Sequence, residues 1–199
     1  MRFAVTRIPS PARAPAHRSG DADSAAPVLG TIVLRHLRKY ETAALHLTDA
    51  MKLQQDELGG EHVDTLMTMT ELAVVYVRQG LYDEAERLIL QTLSGKRALL
   101  GDRHVETAIP INKLAALYHA QGRHAEAEPL YREALDLRRE IHSEEHLETL
   151  TWLTNLANLY QDQGRYDQAE AMHTQALEVR RRTLGDENVY NLLSMNALA

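Results

Sequence analysis

The 199-residue chain is 44% hydrophobic, carries a formal net charge of -6, and contains one Trp, one Phe and no cysteine. That acidic balance gives no general attraction to phosphate backbones or anionic lipid, so nucleic acid and membrane surfaces are excluded as default partners. Without cysteine there are no disulfides, thiolate nucleophiles or Cys-based zinc sites, and with no apolar run near the ~18 residues of a membrane span the expected location is cytoplasmic.

From the N-terminus, residues 1–28 read as a disordered leader rich in Pro, Arg and Ala. Arg2, Arg7, Arg13 and Arg18 come without an acid in the first 20 residues, and Pro9, Pro11, Pro15 and Pro27 interrupt any amphipathic helix. A period of 42 then takes over: Leu72, Leu114 and Leu156 recur at that spacing, as do Ala73, Ala115 and Ala157, Tyr76, Tyr118 and Tyr160, and Gly80, Gly122 and Gly164. After each glycine, Ala85, Ala127 and Ala169 lead to Leu93, Leu135 and Leu177. Each unit is therefore two helices around a glycine turn.

Residues 29–59 are a partial unit. Tyr40, Ala43, Met51, Leu58 and Gly59 stand 42 before Tyr82, Ala85, Leu93, Leu100 and Gly101, which predicts a second helix over 40–58 preceded at most by a short helix from Thr31 to Leu37. Full units follow over 61–101, 103–143 and 145–185. Residues 187–199 read as the truncated first helix of another, since Leu198 and Ala199 match Leu72 and Ala73 across three periods. Both ends fall inside a unit and lack a polar cap, so the expectation is a piece of a longer array, with fraying or self-association at those ends.

At about 100° per residue, Met69, Leu72, Ala73 and Tyr76 fall on one arc of the first helix, and Ala85, Leu88, Ile89, Thr92 and Leu93 on one arc of the second. One such hairpin cannot bury its own apolar face, so successive hairpins must stack. The fold class is all-α, a solenoid of helical hairpins.

The run Leu-x-x-Asn-Leu-Ala-x-x-Tyr-x-x-x-Gly-x-Tyr-x-x-Ala-Glu at Leu153–Glu170 resembles the long tetratricopeptide repeats of kinesin light chains and their bacterial relatives. So do Glu126-Ala127-Glu128-Pro129-Leu130-Tyr131 and the Leu184-Gly185 ending. The resemblance, over about residues 40–199, implies a right-handed superhelix of antiparallel helix pairs whose concave groove, lined by first helices, holds partner peptides. It also implies that Asn side chains of an Asn-Asn-Leu-Ala segment contact the peptide. Here Asn155 alone holds the second Asn position, where Glu71 and Lys113 replace it, while Asn112 and Asn196 hold the first, where Thr70 and Thr154 stand. The basic clamp for carboxylate tails found in related repeats is not expected, because its places hold Thr70, Val74, Lys113, Thr151 and Asn155.

The expected function is a protein-interaction scaffold or adaptor, not an enzyme, with a protein or peptide ligand in the groove. The alternative is a regulatory or sensor segment of a larger enzyme or signalling ATPase. The face opposite the core stripe supplies the candidate groove: Thr70, Val74 and Arg78 in the first unit, Asn112, Lys113 and His119 in the second, and Thr154, Asn155, Asn158 and Gln161 in the third. As surface residues these should be dispensable for folding, which makes Asn112 and Asn155 the natural pair to mutate.

No cofactor or metal is expected. His142-Ser143-Glu144-Glu145-His146 matches a zinc-protease pattern, but the repeat places it in the turn between units. His62, His104 and His146 recur one unit apart, about 10 Å in such a stack, and cannot converge on one ion. A role at the start of each first helix accounts for them better. Lys96-Arg97, Arg138-Arg139 and Arg180-Arg181-Arg182 lie near the ends of second helices, where cations offset the macrodipole. Trp152 is expected to pack on a neighbouring unit rather than to anchor a ligand.

Overall fold

The computed structural model describes residues 22–141 and 146–185, with side chains over 38–140 and 146–185. It contains seven helices there and no strand: α1 (Ala22–Leu58), α2 (Val63–Gln79), α3 (Tyr82–Leu100), α4 (Val105–Ala120), α5 (His124–Ile141), α6 (Leu147–Asp162) and α7 (Tyr166–Leu184). The helix expected over 187–199, most of the His142–His146 segment and the leader up to residue 21 lie outside the described residues.

One expectation is corrected at the N-terminal side. Instead of a leader to residue 28, a short helix and then a second one, α1 runs unbroken from Ala22 to Leu58. The turn glycines Gly80, Gly122 and Gly164 have their counterpart 42 residues earlier at Arg38. An arginine there does not favour the left-handed backbone that ends a helix, so the helix continues. Pro27 removes a single intrahelical bond near its start.

The described residues from Lys39 to Gly185 belong to one compact unit. Helices α2/α3, α4/α5 and α6/α7 pack as hairpins, and α3 on α4 and α5 on α6 join them. The hairpin turns follow from the recurring Tyr-x-x-x-Gly. Gly80, Gly122 and Gly164 sit at φ 77°, 73° and 75°, which lets the next amide, of Leu81, Arg123 or Arg165, donate back to the carbonyl of Tyr76, Tyr118 or Tyr160 at 2.9, 2.8 and 2.8 Å. Ala73, Ala115, Ala157, Ala85 and Ala127 are fully buried, so their helices approach with little side chain between them. Gly95 extends that logic within α3: a Cβ there would lie 2.9 Å from both methyls of buried Leu66.

The histidine ladder caps helices. His62, His104 and His146 are the N-caps of α2, α4 and α6, and their Nδ1 atoms accept from the amides of Asp64, Glu106 and Glu148 at 3.3, 3.1 and 3.3 Å. Imidazole thus does the work usually given to Ser, Thr, Asp or Asn. His104→Ala is expected to lower stability by about 1 kcal/mol, and His104→Asn to restore it, read from urea melts. An unchanged midpoint in the alanine variant would show that the cap contributes nothing.

Two polar clasps join successive hairpins. In one, Tyr118 donates to Glu86 at 2.8 Å while the Arg123 guanidinium lies 3.9 Å over the Tyr118 ring. One unit on, Tyr160 donates to Glu128 at 3.2 Å beneath Arg165, which lies 3.8 Å from the ring centre and pairs with Glu128 at 2.8 Å. In the other, buried Lys96 of α3 reaches Glu106 of α4 at 2.8 Å, and buried Arg138 of α5 pairs with Glu148 of α6. These two cations therefore bridge hairpins, where the sequence had suggested compensation of a helix dipole. Their aliphatic stems fill the interface while their heads find a carboxylate in the next helix's first turn. Trp152, 8% exposed, is packed in that interface with Arg138 5.0 Å over its ring.

Candidate functional site

The first helices α2, α4 and α6 carry their apolar stripe inward, and the opposite sides line up across the three hairpins. Between them lies a cleft of about 660 Å³. Val74, Val77 and Arg78 line it from α2, Lys113, Ala116, His119 and Ala120 from α4, and Asn158 and Asp162 from α6, with Ile89 and Tyr131 contributed by the second helices. Burial pushes the Tyr131 phenol above its ordinary range.

The electrostatics of the cleft are uneven. Arg78, exposed in the last turn of α2, and Lys113, half-buried on α4, have no carboxylate partner among the described residues. Burial, and secondarily the charge of Arg78, lower the pKa of Lys113. Two cations thus face one cavity at mutual cost, in a protein whose net charge is negative. Asp162 also lines the cleft and keeps its negative charge, but it pairs with neither cation; its Oδ2 accepts from His119 Nε2 at 2.7 Å.

Of the residues expected from sequence, Val74, Arg78, Lys113, His119 and Asn158 meet in this cleft. Thr70 and Thr154 do not line it, and their hydroxyls donate to their own helix, at the carbonyls of Leu66 and Leu150, 2.9 and 2.7 Å away. Asn155, half-buried, and Gln161, exposed, also stay outside. Asn112 requires a correction: it is only 4% exposed, and its Oδ1 is buried without a partner. It lines a second, smaller cavity of about 240 Å³ with Ile109, Arg138 and Trp152. The neighbouring hairpin covers it, so a substitution there alters the packing between hairpins, which makes it a poor probe of binding.

Matches to the tetratricopeptide repeat family model cover residues 32–98, 70–140, 106–182 and 148–199. The chain belongs to the tetratricopeptide repeat family. Among solved structures, it is similar to a single-substitution form of a Podosopora anserina kinesin light chain-like protein with nearly identical TPR-like repeats. That match has 25% identity and a TM-score of 0.66, covering 84% of this chain and 80% of that one. A second structure of the Podosopora anserina repeats gives 24% identity and a TM-score of 0.65 over 89% and 85% of the two chains. BtubC (BKLC) from P. vanneervenii gives 21% identity and a TM-score of 0.65 over 75% and 60%. Comparison with curated proteins gives no match.

Within this tetratricopeptide array, the sequence pattern found the helices that line the cleft but not its full membership. Tyr131 was not expected, since it belongs to a second helix and reaches the cleft only because α5 packs against α4. No helix among the described residues is long and apolar enough to cross a membrane.

Proposed function

We propose that the protein is a cytoplasmic interaction scaffold whose cleft takes an extended, acidic segment of a partner protein. Tetratricopeptide repeats serve generally as protein-interaction scaffolds, which supports the class. The observation that carries the acidic preference is the pair Arg78 and Lys113, two cations in one cleft that have no ion-pair partner among the described residues and outnumber its single carboxylate, Asp162. A half-buried ammonium facing a second cation is unfavourable in the free protein and becomes favourable when a ligand brings the anion. Val74, Val77 and Ala116 give apolar walls for side chains, and the Asn158 amide can both donate to and accept from an extended backbone.

Fluorescence anisotropy with a labelled extended Glu-rich peptide, its Gln-for-Glu counterpart and a Lys-rich peptide tests this. The Glu-rich peptide should bind tightest and weaken as salt rises. Equal affinity for the Gln-for-Glu peptide, or preference for the Lys-rich one, would refute the acidic reading.

A further inference from the structure

We propose that His119, His124 and Asp162 form a zinc site at one end of the cleft, joining two successive hairpins. The three side chains come from the end of α4, the first residue of α5 and the end of α6, and one ligand atom from each lies within 4.8 Å of the others. His119 Nε2 is 2.7 Å from Asp162 Oδ2, and the two imidazole rings stand 5.5 Å apart, nearly perpendicular at 82°.

Ligand atoms on a tetrahedral zinc, each about 2.0–2.1 Å from the ion, lie about 3.3 Å from one another. Closing this trio on an ion needs the His119–Asp162 pair, at 2.7 Å, to open slightly and the separations to His124, up to 4.8 Å, to shrink by at most about 1.5 Å, which small side-chain rotations of His124 and the exposed Asp162 supply. Two imidazoles and a carboxylate suit Zn²⁺ better than Ca²⁺ or Mg²⁺, which prefer oxygen ligands, and three protein ligands leave a position open to water or to a group in the cleft.

The repeat supplies a second and independent observation. In a solenoid, residues that recur in every unit serve the common fold. His119 stands where the neighbouring units have Val77 and Gln161, His124 where they have Tyr82 and Tyr166, and Asp162 where they have Arg78 and Ala120. His124 alone departs from a residue the other units share, Tyr40, Tyr82 and Tyr166, whereas the columns of His119 and Asp162 differ in every unit; the histidine that replaces the shared tyrosine is the one that meets both of them. A His–Asp hydrogen bond would account for His119 and Asp162 but leaves the replacement of Tyr by His124 without a purpose. The site does not depend on the cleft's taking a peptide.

The sibling units provide the control variants: His119→Gln, His124→Tyr and Asp162→Ala each introduce a residue the fold already accepts at that position. Titration calorimetry of the full chain, free of any affinity tag, with ZnCl₂ should show one saturable equivalent. Co²⁺ in its place should give the visible bands of a low-coordinate nitrogen–oxygen site. Loss of a mere outer-shell partner weakens metal binding about 10–100-fold, so each variant should lose at least about tenfold in affinity. Zinc should also raise the melting temperature of the wild type and not of the variants, because it binds a site assembled only in the folded chain. Absence of a one-equivalent site in the wild type overturns the proposal. So does zinc binding that persists undiminished in all three variants, which would place the ion on others of the ten histidines.

Discussion

Glu106→Ala is expected to destabilise the fold by about 2–3 kcal/mol, while Lys96→Met should leave it nearly unchanged. Lys96 is 5% exposed and its ammonium rests on Glu106 at 2.8 Å across the α3–α4 junction. Removing the carboxylate strands a buried cation, which costs about 3–5 kcal/mol when both partners are fully buried. Glu106 keeps 47% of its side chain in solvent, so water can partly replace it and the expected loss is smaller. Removing the lysine instead leaves Glu106 in the first turn of α4, where solvent and the helix N-terminus satisfy a carboxylate. Methionine fills the volume of the lysine stem. The asymmetry should appear in urea melts of the two variants, and the double variant should recover most of the loss. Equal destabilisation by both substitutions would mean that the ion pair itself, rather than the stranded charge, sets the energy.

The period of 42 made most of the fold legible, because each turn and each alanine contact is written three times. Gly80, Gly122 and Gly164 announced their turns, and the histidine ladder its place at helix starts. The polar clasps were partly legible as well: Glu86 and Glu128 follow Ala85 and Ala127 in the same Ala-Glu pair, and Tyr118 and Tyr160 share a column. Their pairing was hidden because partners 32 residues apart meet only when one hairpin lies on the next. The same limit explains the errors. On a helical wheel Asn112 sits on the flank of the core stripe, about 100° from Ile111, rather than opposite it, and a wheel is blind to the following hairpin, whose Trp152 lines the same small cavity. Lys96 and Arg138 looked like helix-end charges for the same reason. Arg38 at a turn-glycine position was visible in the sequence, and its consequence, an uninterrupted α1, follows from backbone conformation alone.

Arg78→Ala combined with Lys113→Met is expected to weaken binding of an acidic peptide by about 3 kcal/mol, more than a hundredfold, while the protein becomes more stable. Lys113 should supply the larger share, roughly 2 kcal/mol, because it is half-buried and its contact with a carboxylate would be shielded from water. Arg78 is exposed and screened, and should supply about 1 kcal/mol. The gain in stability comes from the same cause. Burial and Arg78 depress the Lys113 pKa below its ordinary 10.5, so the folded chain holds the charged form less well than the unfolded chain does. For a depressed folded-state pKa the unfolded chain binds more protons within the window, so stability rises with pH from the depressed value up to the ordinary one. Lys113→Met removes the unfavourable charge at every pH and abolishes that rise. The neutral-pH gain should fall in the range of about 0.5–2 kcal/mol common for single stabilising changes. Affinity in the wild type should run the opposite way, falling as alkaline pH removes the proton that the peptide carboxylate needs. Anisotropy titrations and thermal melts of both single variants across that range test the two effects together. A Lys113→Met protein that binds the Glu-rich peptide as tightly as wild type, or one that is less stable at neutral pH, would show that this lysine serves the fold rather than the cleft.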